Sequence, residues 1–78
     1  MNIKYDPDFK GQFDALSTDK LRKKAVQKIQ FLARDSRHKS LRFKKFKGKI
    51  WQFRVDDYWR IWGIRDRGDI TLYLIFHK

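Results

Sequence analysis

In the C-terminal part of the chain the apolar period changes to two over three runs, Ile50 to Asp56, Tyr58 to Ile64 and Ile70 to His77. That period belongs to paired strands and is incompatible with helix. Two breaks separate the runs. Asp56-Asp57-Tyr58 reads as a three-residue loop that pairs Val55 with Trp59, and Arg67-Gly68 as a two-residue turn with the glycine at a left-handed position. With these loops, simple alternation sorts every side chain onto one of two faces. Trp51, Phe53, Val55, Trp59, Ile61, Gly63, Ile70, Leu72, Leu74 and Phe76 form a face without charge. Ile50, Gln52, Arg54, Tyr58, Arg60, Trp62, Ile64, Thr71, Tyr73, Ile75 and His77 form a face of cations, aromatics and polar groups. Changing either loop by one residue would mix the sets, so the clean separation supports this register. A sheet with one apolar face needs a cover on that face.

The N-terminal half supplies the cover. Ile3 and Tyr5 alternate with polar neighbours, and Asp6-Pro7 then gives a helix cap followed by proline at the first helical position. Phe9, Phe13 and Leu16 follow at helical spacing, with Gly11 as a weak point. Ser17-Thr18-Asp19 restarts a second helix whose apolar stripe is Leu21, Ala25, Ile29, Leu32 and Ala33. From Arg34 to Lys49 the chain is basic and loop-like, with eight Lys or Arg against one Asp. The expectation is one α+β domain over residues 1–78, an N-terminal strand and a two-helix hairpin packed on one face of a C-terminal antiparallel sheet. A domain this small buries only roughly 60 % of its unfolded surface. Its aromatic content of 17 % concentrates much apolar area in few positions.

Charge narrows the partners. The chain has 20 Lys plus Arg against 9 acidic residues, a formal net charge of +11, and every acidic residue is Asp. Such an excess repels itself in a compact state and calls for a polyanionic or acidic partner. With no Glu, a glutamate general base is excluded; with no Cys, so are disulfides, thiolate nucleophiles and Cys-containing zinc sites. No apolar run approaches the roughly 20 residues of a membrane span, and the N-terminus lacks a signal-peptide core, so the expectation is a soluble, cytoplasmic protein without a membrane role.

The mixed face carries the candidate chemistry. Arg54 and Arg60 fall on neighbouring strands, while Tyr58, Trp62 and Tyr73 offer rings on which bases stack. Arg42, Lys44, Lys45, Lys47 and Lys49 lead into the sheet and line its expected rim. His77 ends the last strand on the face assigned to Arg60. RNA cleavage needs a group to take the 2′-hydroxyl proton, cations for the crowded phosphorane and an acid for the 5′-oxygen. Each piece also has a plainer reading: a penultimate histidine as a solvated chain end, the arginines as cross-strand decoration, the rings as cover for another chain. No carboxylate cluster or histidine pair stands on this face, so neither a metal nor another cofactor is expected. His38 lies in the basic loop and receives no role.

The segment HKSLRFKKFKGKIWQFRVDDYWRIWGIRDRGDITLYLIFHK resembles the RelE/ParE toxin superfamily. It has a leucine-containing approach, a lysine-glycine turn, a strand ending in Arg-Val, a Tyr-Arg strand, a turn, and a last strand ending in His plus a basic residue. The likeness runs from Leu41 to Lys78, and the preceding strand and helical hairpin agree in order. It implies a toxin of a type II toxin–antitoxin system, RelE-like, acting as a metal-independent, ribosome-dependent mRNA endoribonuclease that inhibits translation. The implied partners are a cognate antitoxin, mRNA and the ribosome with its rRNA. By position, Arg60 matches the arginine that contacts the scissile phosphate, Arg54 the basic residue ending the preceding strand, and His77 the terminal proton-transfer histidine. Lys47 and Lys49 stand for basic residues whose placement varies. The chain departs from the pattern in three ways. Trp59 is inserted between Tyr58 and Arg60, no glutamate is present, and neither a helix nor a tyrosine follows the last strand. A ParE-type inhibitor of DNA gyrase without hydrolytic chemistry is the competing reading, and an inactive antitoxin- or RNA-binding relative is a third.

Overall fold

The computed structural model describes residues 1–78 as β1 (Asn2–Tyr5), α1 (Pro7–Asp14), α2 (Asp19–Arg34), a 3₁₀ turn (Lys39–Leu41), β2 (Lys44–Lys47), β3 (Ile50–Arg54), β4 (Trp59–Asp66) and β5 (Asp69–His77). The strands form one sheet in the order β1-β5-β4-β3-β2. Local chemistry explains the helix starts. The Asp6 carboxylate accepts from the Asp8 N–H at 3.0 Å ahead of Pro7, and Thr18 Oγ1 accepts from the Leu21 N–H at 3.1 Å. Each fills an otherwise orphaned donor of a first turn.

The α+β architecture stands as expected, with two additions. First, β1 pairs parallel to β5, making the sheet mixed. Second, the basic stretch holds a strand: β2 pairs antiparallel with β3 across a turn in which Gly48 takes a left-handed φ of 55°. The 3₁₀ turn before β2 inserts Leu41 fully into the core.

The buried cluster joins Phe9, Leu16, Leu21, Ala25, Ile29 and Leu32 of the helical layer to Leu41, Phe53, Val55, Ile61, Ile70, Leu72 and Ile75. Ala33 was expected in the apolar stripe but is exposed; Leu32 takes the core-facing position beside it. Gly63 allows the close approach of β5, because a Cβ there would stand 2.6 Å from Ile70 Cγ1. The β4–β5 turn has the expected length, yet its left-handed residue is Arg67 (φ 59°), not Gly68.

The register departs from simple alternation once, and the consequence is large. Arg54 pairs with Arg60, as the three-residue loop requires. In the β4–β5 ladder, however, Trp62 pairs with Leu74 and Gly63 with Leu72, which leaves Tyr73 as the extra residue of a β-bulge. From there on, every side chain of β5 lies opposite to its expected face. Ile75 is buried in the core with Ile61, its partner, while Leu74 and Phe76 join Trp62 and Arg60 on the open face. His77 pairs with Trp59, on the side away from Arg60.

α1 holds the bulge. Gln12 donates from Nε2 to the Tyr73 carbonyl at 2.9 Å and accepts at Oε1 from the Ile75 N–H at 2.9 Å. Its amide thus continues the hydrogen bonding of the β5 edge past the end of β1, which closes with the Asp6 N–H on the Leu72 carbonyl.

Candidate nucleic-acid interface

On the open face, beside the β3–β4 loop, a groove of about 450 Å³ is lined by Arg42, Lys44, Gln52, Arg54, Asp57, Arg60, Phe76 and Lys78. Five of the eight are cations and one is a carboxylate. Arg54 and Arg60 are directly opposed on β3 and β4 and both are partly buried. Their forks are held differently. Arg60 donates from Nη1 to the carbonyls of Asp56 (2.5 Å) and Trp59 (3.0 Å), and from Nη2 to that of Asp57 (3.3 Å). Neutral carbonyls orient the guanidinium without cancelling its charge. Arg54 instead forms an ion pair with Asp57, whose side chain is 79 % exposed. That carboxylate offsets the charge of Arg54 inside the groove that both residues line.

The loop carrying these groups is stiffened by Asp56, which accepts from the N–H groups of Tyr58 and Trp59, both at 2.9 Å. Burial pushes the Asp56 carboxyl up, but those two N–H groups and the charges of Lys24 and Arg60 outweigh it and hold the group below the ordinary carboxylate value. A depressed folded value contributes stability above the unfolded value of about 4 and loses it as pH falls through the folded value. Asp56→Ala is therefore expected to cost about 1.5 to 3 kcal/mol at pH 7 and progressively less as pH falls below about 4. Urea melts of both proteins across that range check it; a constant difference down to pH 2 would refute the assignment.

The residues singled out from the sequence divide in two. Arg54, Arg60, Arg42 and Lys44 line the groove together. Lys45 pairs with Trp51 and so faces the helical side of the sheet, while Lys47 pairs with Ile50, at the far end of β3 from Arg54. Lys49 sits in the β2–β3 turn beside it. Trp62 lies on the open face as expected, half-buried, donating from Nε1 to Gln52 Oε1 at 2.9 Å, with the Phe46 ring at 4.7 Å and the Phe76 ring at 5.0 Å. Tyr73, at the bulge, is half-buried, and burial pushes its phenol up.

The face on which His77 stands is the main correction. Its ring stacks on Tyr58 at 5.7 Å and meets Trp59 edge-on at 5.4 Å, outside the groove, because the bulge turns β5 by one residue. The next residue, Lys78, lines the groove instead. Phe46, Gln52, Asp57, Phe76 and Lys78 escaped the sequence reading. Gln52 had a signal in its place on the mixed face, Asp57 as the second carboxylate of the loop between the two arginines, and Lys78 as the basic residue after His77.

The class defined by this geometry is an α+β fold with a helical hairpin on one face of a mixed sheet and a cationic groove on the other. Among solved structures it is similar to the YoeB–YefM complex from Staphylococcus aureus, with a TM-score of 0.75 at 16 % identity, covering 100 % of this chain and 98 % of that one. The fold is therefore the RelE-like fold that the sequence resemblance implied. No family model and no curated protein matches the chain.

Proposed function

We propose that this protein is the toxin of a toxin–antitoxin pair and that it acts as an mRNA endoribonuclease on the ribosome, in the cytoplasm. The observation that carries the reading is the opposed Arg54–Arg60 pair inside a groove with three further cations. Two opposed guanidiniums, of which Arg60 keeps two of its five N–H donors free of the loop carbonyls, suit the oxygens of a phosphodiester. The ring cluster of Phe46, Trp62 and Phe76, which adjoins the groove through Phe76, offers stacking surface for bases. Likeness to a chain solved within a two-protein complex supports a protein partner, the antitoxin.

In this reading a phosphate displaces Asp57 from Arg54. The freed carboxylate takes the 2′-hydroxyl proton, the 2′-oxygen attacks phosphorus, and the P–O5′ bond breaks as the Lys78 ammonium gives its proton to the 5′-oxygen. Products are a 2′,3′-cyclic phosphate and a 5′-hydroxyl end. His77 lies outside the groove, so proton transfer falls to the groups that line it.

The position of His77, together with the absence of glutamate, favours a second reading, a ParE-type inhibitor of DNA gyrase that binds without hydrolysis. One experiment separates the two. Induction in cells, followed by mapping of mRNA 5′ ends beside gyrase-linked DNA breaks, should show new mRNA ends bearing 5′-hydroxyls. DNA breaks with intact mRNA would replace the first reading with the second. Asp57→Asn adds a directional check on purified protein. Removing an exposed ion-pair competitor worth up to about 1 kcal/mol should tighten RNA binding about two- to five-fold while cleavage falls. Cleavage that rises with binding would overturn the role of Asp57 as base.

A further inference from the structure

The groove continues past the edge of the sheet. Arg42, Arg54 and Asp57 also line a second cavity of about 580 Å³, whose other walls come from α2 and from the 3₁₀ turn. Lys24, Lys28, His38 and Lys39 face into it. Its positive charge is poorly compensated. Asp57 is held by Arg54, and Asp56, which caps the loop, stands 4.0 Å from Lys24. Lys28 and Lys39 have no carboxylate within ion-pair distance. Burial, then the charges of Arg54 and Lys24, push the Lys28 ammonium below its ordinary value, with only Asp56 opposing them. Cations held together in this way repel one another until an anion arrives.

His38 is set as a donor. Its ring stacks on Phe31 at 4.2 Å with planes 14° apart, and its Nδ1 lies 3.3 Å from the Ser40 N–H and 2.8 Å from Ser40 Oγ. A backbone N–H can only donate, so Nδ1 accepts, and the proton of the neutral ring resides on Nε2. His38, which lines the cavity beside the lysines, thus keeps its Nε2–H free of the Ser40 contacts that hold Nδ1.

We propose that this cavity is a second phosphodiester subsite. An RNA strand lying in the first groove turns around the β3–β4 loop, over the shared Arg42 and Arg54, and sets its next phosphates against Lys28, Lys39 and the Nε2–H of His38. The proposal rests on the reading that the first groove binds RNA, and it extends the footprint from the sheet to α2.

The test measures fluorescence anisotropy of the whole protein with labelled oligoribonucleotides of about three and about ten nucleotides, lengths that fill one groove or span both. Lys28→Gln/Lys39→Gln is expected to weaken the longer oligonucleotide by on the order of ten-fold, leave the shorter one unchanged, and lower the log–log salt slope by about 1.4, the release for two lost contacts on a single strand. Arg60→Gln should weaken both lengths. Equal loss on both lengths, or no loss on either while Arg60→Gln still weakens both, overturns the second subsite and leaves the first groove standing. Arg60→Gln without effect on either length removes the groove reading and the subsite with it. A polyglutamate peptide that competes as well as RNA of equal charge would reassign the cavity to an acidic protein segment. Thermal melts of the double variant at or above wild type exclude unfolding as the cause, since the change removes repulsion.

Discussion

Arg60→Ala is expected to reduce mRNA cleavage by on the order of 100- to 1000-fold, the loss typical when one preorganised donor to a developing anion is removed. Arg60 suits that role because the carbonyls of Asp56, Asp57 and Trp59 fix its guanidinium and no carboxylate pairs with it directly, whereas Arg54 must first release Asp57. Growth inhibition on induction should disappear in parallel. The fold should survive, because Arg60 is only partly buried and truncating it empties no core volume. Binding of the antitoxin by the purified variant, with a melting curve, shows whether the loss is chemical. The contrast is His77→Ala. Stacked on Tyr58 and Trp59 away from the groove, His77 should be replaceable with cleavage retained. If His77→Ala abolishes cleavage and Arg60→Ala leaves it intact, the groove is not the catalytic surface.

Phe53→Ala should lower the unfolding free energy by about 3 to 5 kcal/mol. Phe53 is wholly buried, pairs with Ile61 across β3 and β4, and meets Phe43 edge-on at 6.5 Å. A domain of this length holds a total of roughly 4 to 12 kcal/mol, so the loss removes between about a quarter and all of it. Trp59, which alternation also assigns to the core face, is only partly buried and shares its surroundings with the exposed His77. Trp59→Ala should cost clearly less. Urea denaturation of both variants decides the order, and a larger loss at Trp59 would refute this account of the core.

How much of this was legible depended on how sharply each segment contrasts its two faces. In β3 and the first half of β4, Phe53 and Ile61 alternate with Arg54 and Arg60, and the expected register is the observed one. Asp6 and Thr18 announced the helix starts because capping is a local interaction between neighbours in sequence. β2 escaped notice because Lys44, Lys45 and Lys47 stand on both of its faces, erasing alternation. Lysines on an edge strand are themselves protective, since they discourage pairing with another chain. The bulge at Tyr73 escaped for the opposite reason. Thr71-Leu72-Tyr73-Leu74-Ile75-Phe76 is apolar at nearly every position, so a slip by one residue leaves no trace in the pattern. What fixes it is Gln12, 61 residues away in sequence from Tyr73.

A strand behaves as a wave of period two, and a bulge is a half-cycle shift in its phase. Motif matching compares letters and their order and is blind to phase. The His-Lys ending of this chain can align with a histidine-bearing motif elsewhere while delivering the imidazole to one side of the sheet and the lysine to the other. In folds that carry chemistry on the last strand, gain or loss of a single bulge exchanges which of two adjacent residues reaches the substrate, with no substitution at either. Gln12, by holding the shifted phase, therefore helps set which of the two residues faces the groove, although it lies on a different element and bonds to neither.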